Sequence, residues 1–236
     1  MFNRLFLKIK VKSYMCANFK PITSEQVKQL GLPDIPFEYV DEIYPGYKAP
    51  LLFKSEFGLE WREVVFGLIP KWAEDTSIAK HTYNARHETI FQKPSFQGAA
   101  YKCKFGVIPV SEFYESKYID LKPQRWGVRR QDQHAFYIAA LYEIRKLDNQ
   151  IIRSAAMLTL DAIDHVMMKD FHEPGDVKRS VVIIPHDRLD EWLSISQPEQ
   201  LKKFMQGFPV DEYECSHIPK IKLKKDTPQL NIFDDF

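Results

Sequence analysis

Cysteine is scarce in this chain. Three occur in 236 residues, Cys16, Cys103 and Cys215. The count is odd, the spacings are wide and no CxxC or Cys/His pattern is present, so neither a disulfide framework nor a zinc site is implied. That usage fits a reducing cytoplasm. Excess charge is lacking too: 33 Lys and Arg face 32 Asp and Glu, a formal net charge of +1. Bulk charge therefore selects no polyanionic partner, and any nucleic-acid site has to be a local basic patch. No apolar run is long enough to cross a membrane. The N-terminal MFNRLFLKIK alternates apolar and basic residues without a continuous apolar core or a small-residue cleavage site, which makes it a poor secretory signal. There is no Gly/Ser-rich linker, low-complexity run or internal repeat, so one domain is expected.

What the chain has is apolar content. It is 44% hydrophobic and 14% aromatic, enough for a sizeable core and too much for disorder. SEQVKQLG (24–31) reads as a short helix capped by Ser24 and stopped by Gly31. Residues 33–50 carry four prolines and read as loop and edge strand. LLFKSEF and WREVVFGLIP read as strands joined near Gly58. The polar segment after them suggests a loop leading into a helix around Arg86 to Phe91. CKFGVIPVSEFYES and RWGVRRQDQHAFYIAALYEIR read as further strands, the second broken at RRQDQ. RSAAMLTLDA is a strand by composition, IDHVMMKDF a short helix, SVVIIP a buried strand, and HDRLDEWLSI and SQPEQLKKFMQGF amphipathic helices. Many strands and few short helices without βαβ alternation predict an α+β fold with a mixed, strongly curled sheet and short peripheral helices.

Four places put polar groups inside apolar or aromatic strings: Cys16 in YMCANF, Asn84 to Glu88 in YNARHE, Glu115 in VSEFYES and His172 in KDFHEP. Each has an ordinary explanation. A cysteine among aromatics is usually a small buried hydrophobe, a glutamate ending a strand usually faces solvent, and a histidine after a helix is usually a cap. Together, a thiol, a carboxyl, an imidazole and an amide are the parts of nucleophilic catalysis with proton transfer. Spacing alone does not bring them together.

The ordered blocks MCANF (15–19), FGLIPKW (66–72), NARHET (84–89), CKFGVIPVSEFYE (103–115), MLTLDA (157–162) and His172 followed by Lys178-Arg179 resemble the SRAP family, the SOS response-associated peptidase domain. Its members crosslink themselves to abasic sites in single-stranded DNA. The resemblance spans about residues 15 to 220. It implies a barrel-like form of the curled sheet, an N-terminal extension (1–14) dispensable to the domain (15–222), and a C-terminal tail (223–236). Position by position, it implies Cys16 as the crosslinking residue and Asn84 as the amide positioning its amine. Glu115 becomes the acid/base and His172 the imidazole assisting Schiff-base chemistry. Arg86 and Arg179 become DNA contacts, and Trp72, Thr159, Tyr114 and Asn18 line the DNA site. It implies single-stranded DNA as partner, a bacterial, nucleoid-associated location, a monomer, and no cofactor or metal. Arg129, Arg130 and Lys178 are further basic candidates for phosphates.

The chemistry explains those residue types. A ring-opened abasic sugar presents an aldehyde, and an amine attacks it to give an imine. A 1,2-aminothiol goes further, because the neighbouring thiol closes a five-membered thiazolidine. Only a cysteine at the chain terminus offers both groups. Its α-amino group titrates at about 8 against about 10 for lysine, so a neutral fraction exists near pH 7. The proton transfers suit a carboxyl in a poorly solvated site or a histidine near neutrality. Residues 1–15 must therefore be absent from the active form, through translation from Met15 and removal of that methionine, or through self-cleavage before Cys16. If they persist, the chain cannot crosslink.

The sequence also departs from the family pattern. Cys-Ala-Asn-Phe replaces Cys-Gly-Arg-Phe, so Asn18 stands where an arginine would grip DNA. The usual His-x-Arg-Met-Pro is stretched to HEPGDVKRSVVII, which is expected to reposition His172 or Arg179. Ser116 stands where a tryptophan often follows FYE. In the tail, Gln229-Leu230-Asn231-Ile232-Phe233 resembles the bacterial sliding-clamp-binding peptide, with Gln229, Leu230 and Phe233 as its contacts. Two other readings remain open: a thiol peptidase using Cys16 and His172, and a non-catalytic DNA- or clamp-binding accessory protein.

Overall fold

A computed structural model describes residues 17–219. Eleven strands are formed there: β1 (Asn18–Pro21), β2 (Lys48–Ser55), β3 (Gly58–Phe66), β4 (Asn84–Arg86), β5 (Phe105–Ile119), β6 (Lys122–Arg130), β7 (Phe136–Leu147), β8 (Gln150–Asp161), β9 (Arg179–Val181), β10 (Ile183–Ile184) and β11 (Tyr213–His217). Three short helices accompany them, α1 (Ser24–Gln29), α2 (Gln97–Ala100) and α3 (Leu189–Leu193). The expected α+β class with a curled mixed sheet and small peripheral helices is what forms, as a single domain.

The sheet closes on itself through β7, β8, β3, β2 and β5, with β5 returning to β7. Two of its hairpins use two-residue loops in which both residues take left-handed backbone, the geometry whose twist matches paired strands. They are Asp120-Leu121 (φ 49° and 61°) between β5 and β6, and Asp148-Asn149 (φ 46° and 65°) between β7 and β8. Closure depends on a close approach at Gly106, where a Cβ would meet the Leu52 carbonyl oxygen at 2.9 Å. Trp192 of α3, wholly buried, donates its indole N–H to the Gly106 carbonyl at 2.9 Å and plugs this seam. Burial of that one side chain contributes about 2–3 kcal/mol.

Strands β5, β7 and β8 are buried on both faces. Val107, Ala139, Ala156 and Leu158 pack with residues of α1 and α3, while Ile108, Ile138, Ala155 and Met157 pack into a second cluster with Phe19, Phe66 and Phe113. Two-sided burial is why these strands read as near-continuous apolar runs rather than alternating ones.

Two strands outrun the barrel and build the site. Beyond Met157, β8 is flanked by β4 in parallel, with Arg86 opposite Thr159, and by β9 antiparallel, with Arg179 opposite Asp161. The far half of β5 leaves β7 and pairs with β1 and β6, so that Asn18 faces Tyr114 and Trp126 faces Glu115.

Several local expectations are corrected. Thr23, not Ser24, caps α1, in a reciprocal box with Gln26. No helix forms at Arg86 to Phe91. Residues 84–86 are strand β4, because the edge of β8 past the barrel needs a partner, and 87–96 is a chain of turns. The segment 163–171 holds only a 3-10 turn, Met168–Asp170. There the His165 ring nitrogen Nδ1 accepts the N–H groups of Met167 and Met168, both at 3.2 Å, and so diverts donors that a helix would use. SQPEQLKKFMQGF forms a 3-10 segment, Pro198–Phe204, instead of an α-helix.

Candidate functional site

The centre of the site is a carboxyl and an imidazole shut away from water. Glu115 on β5 is 5% exposed and His172 is 2% exposed. His172 Nε2 lies 3.5 Å from Glu115 Oε2. His172 has a left-handed backbone, φ 68°, which costs a non-glycine residue about 1 kcal/mol or more. Neighbouring contacts fix it there. Its N–H donates to the Ser116 carbonyl at 2.7 Å, one residue past Glu115. The preceding Phe171 is fully buried and forms a bridge with Lys117. The backbone of His172 thus hangs from the strand that carries Glu115. The long loop after His172, expected to displace it or Arg179, leaves both buried. A dry carboxyl–imidazole pair with this geometry can pass a proton between reacting atoms.

The β4 edge supplies the second part. Asn84 is half-buried opposite Met157, and Arg86, two residues on, is exposed. Arg86 forms no ion pair among the described residues. What holds this edge is Glu88. Its carboxylate accepts both ends of the Arg179 guanidinium at 2.7 and 2.8 Å and the Asp161 N–H at 3.0 Å. Burial is the largest single influence and raises the Glu88 carboxyl, but the Arg179 hydrogen bonds, a backbone hydrogen bond and the charges of Arg179 and His87 together outweigh it and hold it down to about 2.

Arg179 was expected to contact DNA. It is 3% exposed, and besides Glu88 it donates to the Thr159 carbonyl at 2.8 Å and hydroxyl at 3.2 Å. It braces β4, β8 and β9 rather than presenting charge. Thr159, expected in the site wall, is buried beneath it and also accepts the His87 N–H through its carbonyl at 3.0 Å.

Two further expectations about DNA contacts are revised in the same way. The Asn18 side chain is buried and donates to Glu42, which also accepts from Tyr44 and Arg125, both at 2.6 Å. The Arg125 guanidinium lies 3.5 Å from the centroid of the Tyr114 ring, which covers the face a base would need. Burial, with the nearby Glu112 carboxylate, pushes the Tyr114 hydroxyl well above its ordinary range. Arg129 pairs with Glu214, and Arg130 with Asp132 and Glu212, on the edge formed by β6 and β11.

Of the two aromatics expected at the DNA, Trp72 is the exposed one, at 58%. Its indole N–H donates to the Pro94 carbonyl at 3.1 Å, which sets the ring's direction. Its loop is anchored by the buried Arg145 of β7, which donates to the Pro70 carbonyl at 3.0 Å and to the Ala73 carbonyl. The turn into this loop requires glycine: a Cβ on Gly67 (φ 121°) would meet the Ala79 carbonyl oxygen at 2.1 Å. Sequence reasoning missed Arg145, Glu42 and Arg125, and it gave Glu88 no role although it singled out the block that holds it. All four act on backbone or side chains far along the chain, and no local pattern shows those partners.

Cys16 lies outside the described residues, as do Gln229, Leu230 and Phe233 and the whole of the extension and tail. Ala17, next to Cys16 in the sequence, packs half-buried against the core one residue before β1. Among the described residues no group of three or more His, Cys, Asp or Glu is placed to hold a metal, and no helix is long and apolar enough to cross a membrane.

Comparison with known proteins adds three findings. The family model described as SOS response associated peptidase (SRAP) matches residues 15–221. The chain is 31% identical over 162 residues to the abasic site processing protein YoaM of Bacillus subtilis strain 168, covering 66% of this chain and 67% of that one. It is 30% identical over 173 residues to the abasic site processing protein YoqW of the same bacterium, covering 70% and 73%. Among solved structures, a protein from Bordetella bronchiseptica superposes with a TM-score of 0.80 at 24% identity, over 87% of this chain and 100% of that one. One from Bacteroides thetaiotaomicron gives 0.71 at 20% identity, over 86% and 92%. At those identities the structural likeness speaks to the fold alone.

Proposed function

Because this chain belongs to the SOS response-associated peptidase family, matched over residues 15–221, we propose that it processes abasic sites in single-stranded DNA by crosslinking to them through Cys16. The observation that carries this reading is the buried Glu115–His172 pair, 3.5 Å apart, beside the strand that begins at Asn18 opposite Tyr114. Cys16 precedes that strand by two residues. The names of the Bacillus relatives, abasic site processing proteins, point to the same substrate.

The neutral α-amine of Cys16 adds to the aldehyde of the opened sugar. Glu115 donates a proton to the leaving hydroxyl, water departs, and Glu115 takes back the proton that the nitrogen releases as the imine forms. The Cys16 thiol adds to the imine carbon, its proton passes through His172 to the nitrogen, and the thiazolidine closes. No metal or redox partner enters. This reaction requires that residues 1–15 be gone, since an amide nitrogen at Cys16 cannot form the imine.

Single-stranded DNA is the fitting form of the substrate, because pairing and stacking would bury the lesion. Arg86 supplies a phosphate contact and Trp72 a face for a flanking base. Their loss has different signatures. Arg86→Ala should reduce the slope of affinity against salt by about one. Trp72→Ala should weaken binding by about 1–3 kcal/mol with that slope unchanged. Titrating a labelled strand at several salt concentrations separates the two, and equal slopes for wild type and Arg86→Ala would remove Arg86 from the interface.

The direct test of the reaction uses protein produced from Met15 and a strand carrying one abasic site. A denaturation-resistant band on a gel is expected, absent with Cys16→Ala. A band that survives Cys16→Ala would sink the assignment. An internal thiol peptidase would tolerate a blocked Cys16 amine, whereas this reaction would not.

A further inference from the structure

We propose that Lys178 is a positioning residue for the reaction, holding the His172 imidazole against Glu115 by gathering the carbonyls of residues 171–173. The inference rests on the crosslinking reading above and adds how the long loop after His172 keeps that histidine in place. The Lys178 ammonium donates to the carbonyl oxygens of Phe171 at 2.8 Å, His172 at 3.2 Å and Glu173 at 3.2 Å. Three carbonyls of consecutive residues converge because the backbone changes hand at His172, φ 68°. Converging carbonyl dipoles repel one another, and a cation set among them offsets that repulsion with charge-assisted hydrogen bonds.

An ammonium has three N–H donors and no acceptor. Here all three have backbone partners, so none is left for a phosphate. That pairing counts against Lys178 as a DNA contact. The lysine is itself held at its root. Its carbonyl accepts the Ala162 N–H at 3.0 Å, and the next residue, Arg179, is locked on Glu88. The cation is therefore anchored on the β8–β9 side and grips a segment whose other tie, the His172 N–H on Ser116, lies on β5. The imidazole sits where those two ties cross. Losing the cation lets residues 171–173 relax toward an ordinary backbone and swings the ring away from Glu115.

The test compares Lys178→Met, which keeps the stem without the charge, and Lys178→Arg, which keeps the charge. Lys178→Met should slow crosslinking by about tenfold or more, the scale on which small misplacements act, and alter its pH profile. It should add nothing in a His172→Gln background. Affinity for an undamaged strand, and its salt slope, should match wild type. Lys178→Arg should recover most of the rate. A readout independent of crosslinking is the NMR titration of the His172 ring in the free protein, expected to move in Lys178→Met and to return in Lys178→Arg. An unmoved His172 titration would overturn the proposal, as would a salt slope lowered by about one, which would make Lys178 a phosphate contact. Wild-type protein that fails to crosslink would defeat the reading above, while the ring titration would still decide this one.

Discussion

Glu115→Gln is expected to slow crosslink formation by at least about 100-fold, the lower end of what a positioned acid or base contributes. The substitution keeps the shape of the side chain and removes its acid–base function. Glu115 is 5% exposed and 3.5 Å from His172 Nε2, so no bulk water stands ready to replace it. The fold should not suffer, because glutamine fills the same volume and keeps hydrogen-bonding atoms in the same place. Thermal stability is therefore expected to stay close to that of wild type, and affinity for intact single-stranded DNA is unchanged. His172→Gln should slow the reaction comparably. The double variant should be little worse than the slower single one, because groups that act as a unit are not additive. Single-turnover rates on an abasic strand measure all three, and fully additive losses would mean that the two side chains work on separate steps.

The second large effect falls on stability. Glu88→Ala strands the Arg179 guanidinium, whose side chain is 4% exposed, whereas Arg179→Met leaves a Glu88 side chain that is 37% exposed. The acid can turn to water and the base cannot. Breaking a fully buried pair costs about 3–5 kcal/mol. The solvent reach of Glu88 lowers that to about 2–3 kcal/mol. At roughly 2–4 °C per kcal/mol for a domain of this size, Glu88→Ala should lower Tm by about 4–12 °C, and Arg179→Met by less. The pH dependence has a definite sign. The folded carboxyl is depressed to about 2 from an ordinary 4.5, so its stabilisation is complete above about 4.5 and is lost as pH falls toward about 2. The Tm gap between wild type and Glu88→Ala should therefore close across that window. A gap that is constant with pH would show that the loss came from packing alone. Glu88→Ala should also loosen β4, and with it Arg86, so DNA affinity falls although Glu88 carries the wrong charge for a phosphate.

The sequence made the barrel strands visible because β5, β7 and β8 are buried on two faces and carry apolar runs that no loop tolerates. The break at RRQDQ was visible for the opposite reason. The three-residue β4 was not, because its conformation is set by the edge of β8 rather than by its own preference, and NARHET alone reads as a helix start. The blocks around Glu115 and His172 pointed to the two groups proposed as acid and base, and the structure places their side chains 3.5 Å apart. Sequence could not tell which cations face outward. Arg179 and Lys178 adjoin in the chain, yet one is locked on a carboxylate and the other on three carbonyls, while Arg86 is exposed. That difference depends on Glu88, some ninety residues away from Arg179 in sequence, and on the backbone hand of His172. Neither is written in local composition.

In the proposed reaction both functional groups of a terminal Cys16 end in one ring with the abasic sugar. The decisive measurement is intact-mass spectrometry of the purified adduct, with and without borohydride. A protein beginning at Cys16 and joined to the DNA with loss of one water is expected, with a mass that borohydride leaves unchanged, because a thiazolidine has no imine to reduce. An adduct that keeps residues 1–15, or one that takes up two hydrogens on reduction, would contradict that reaction and point to a simple Schiff base at another amine.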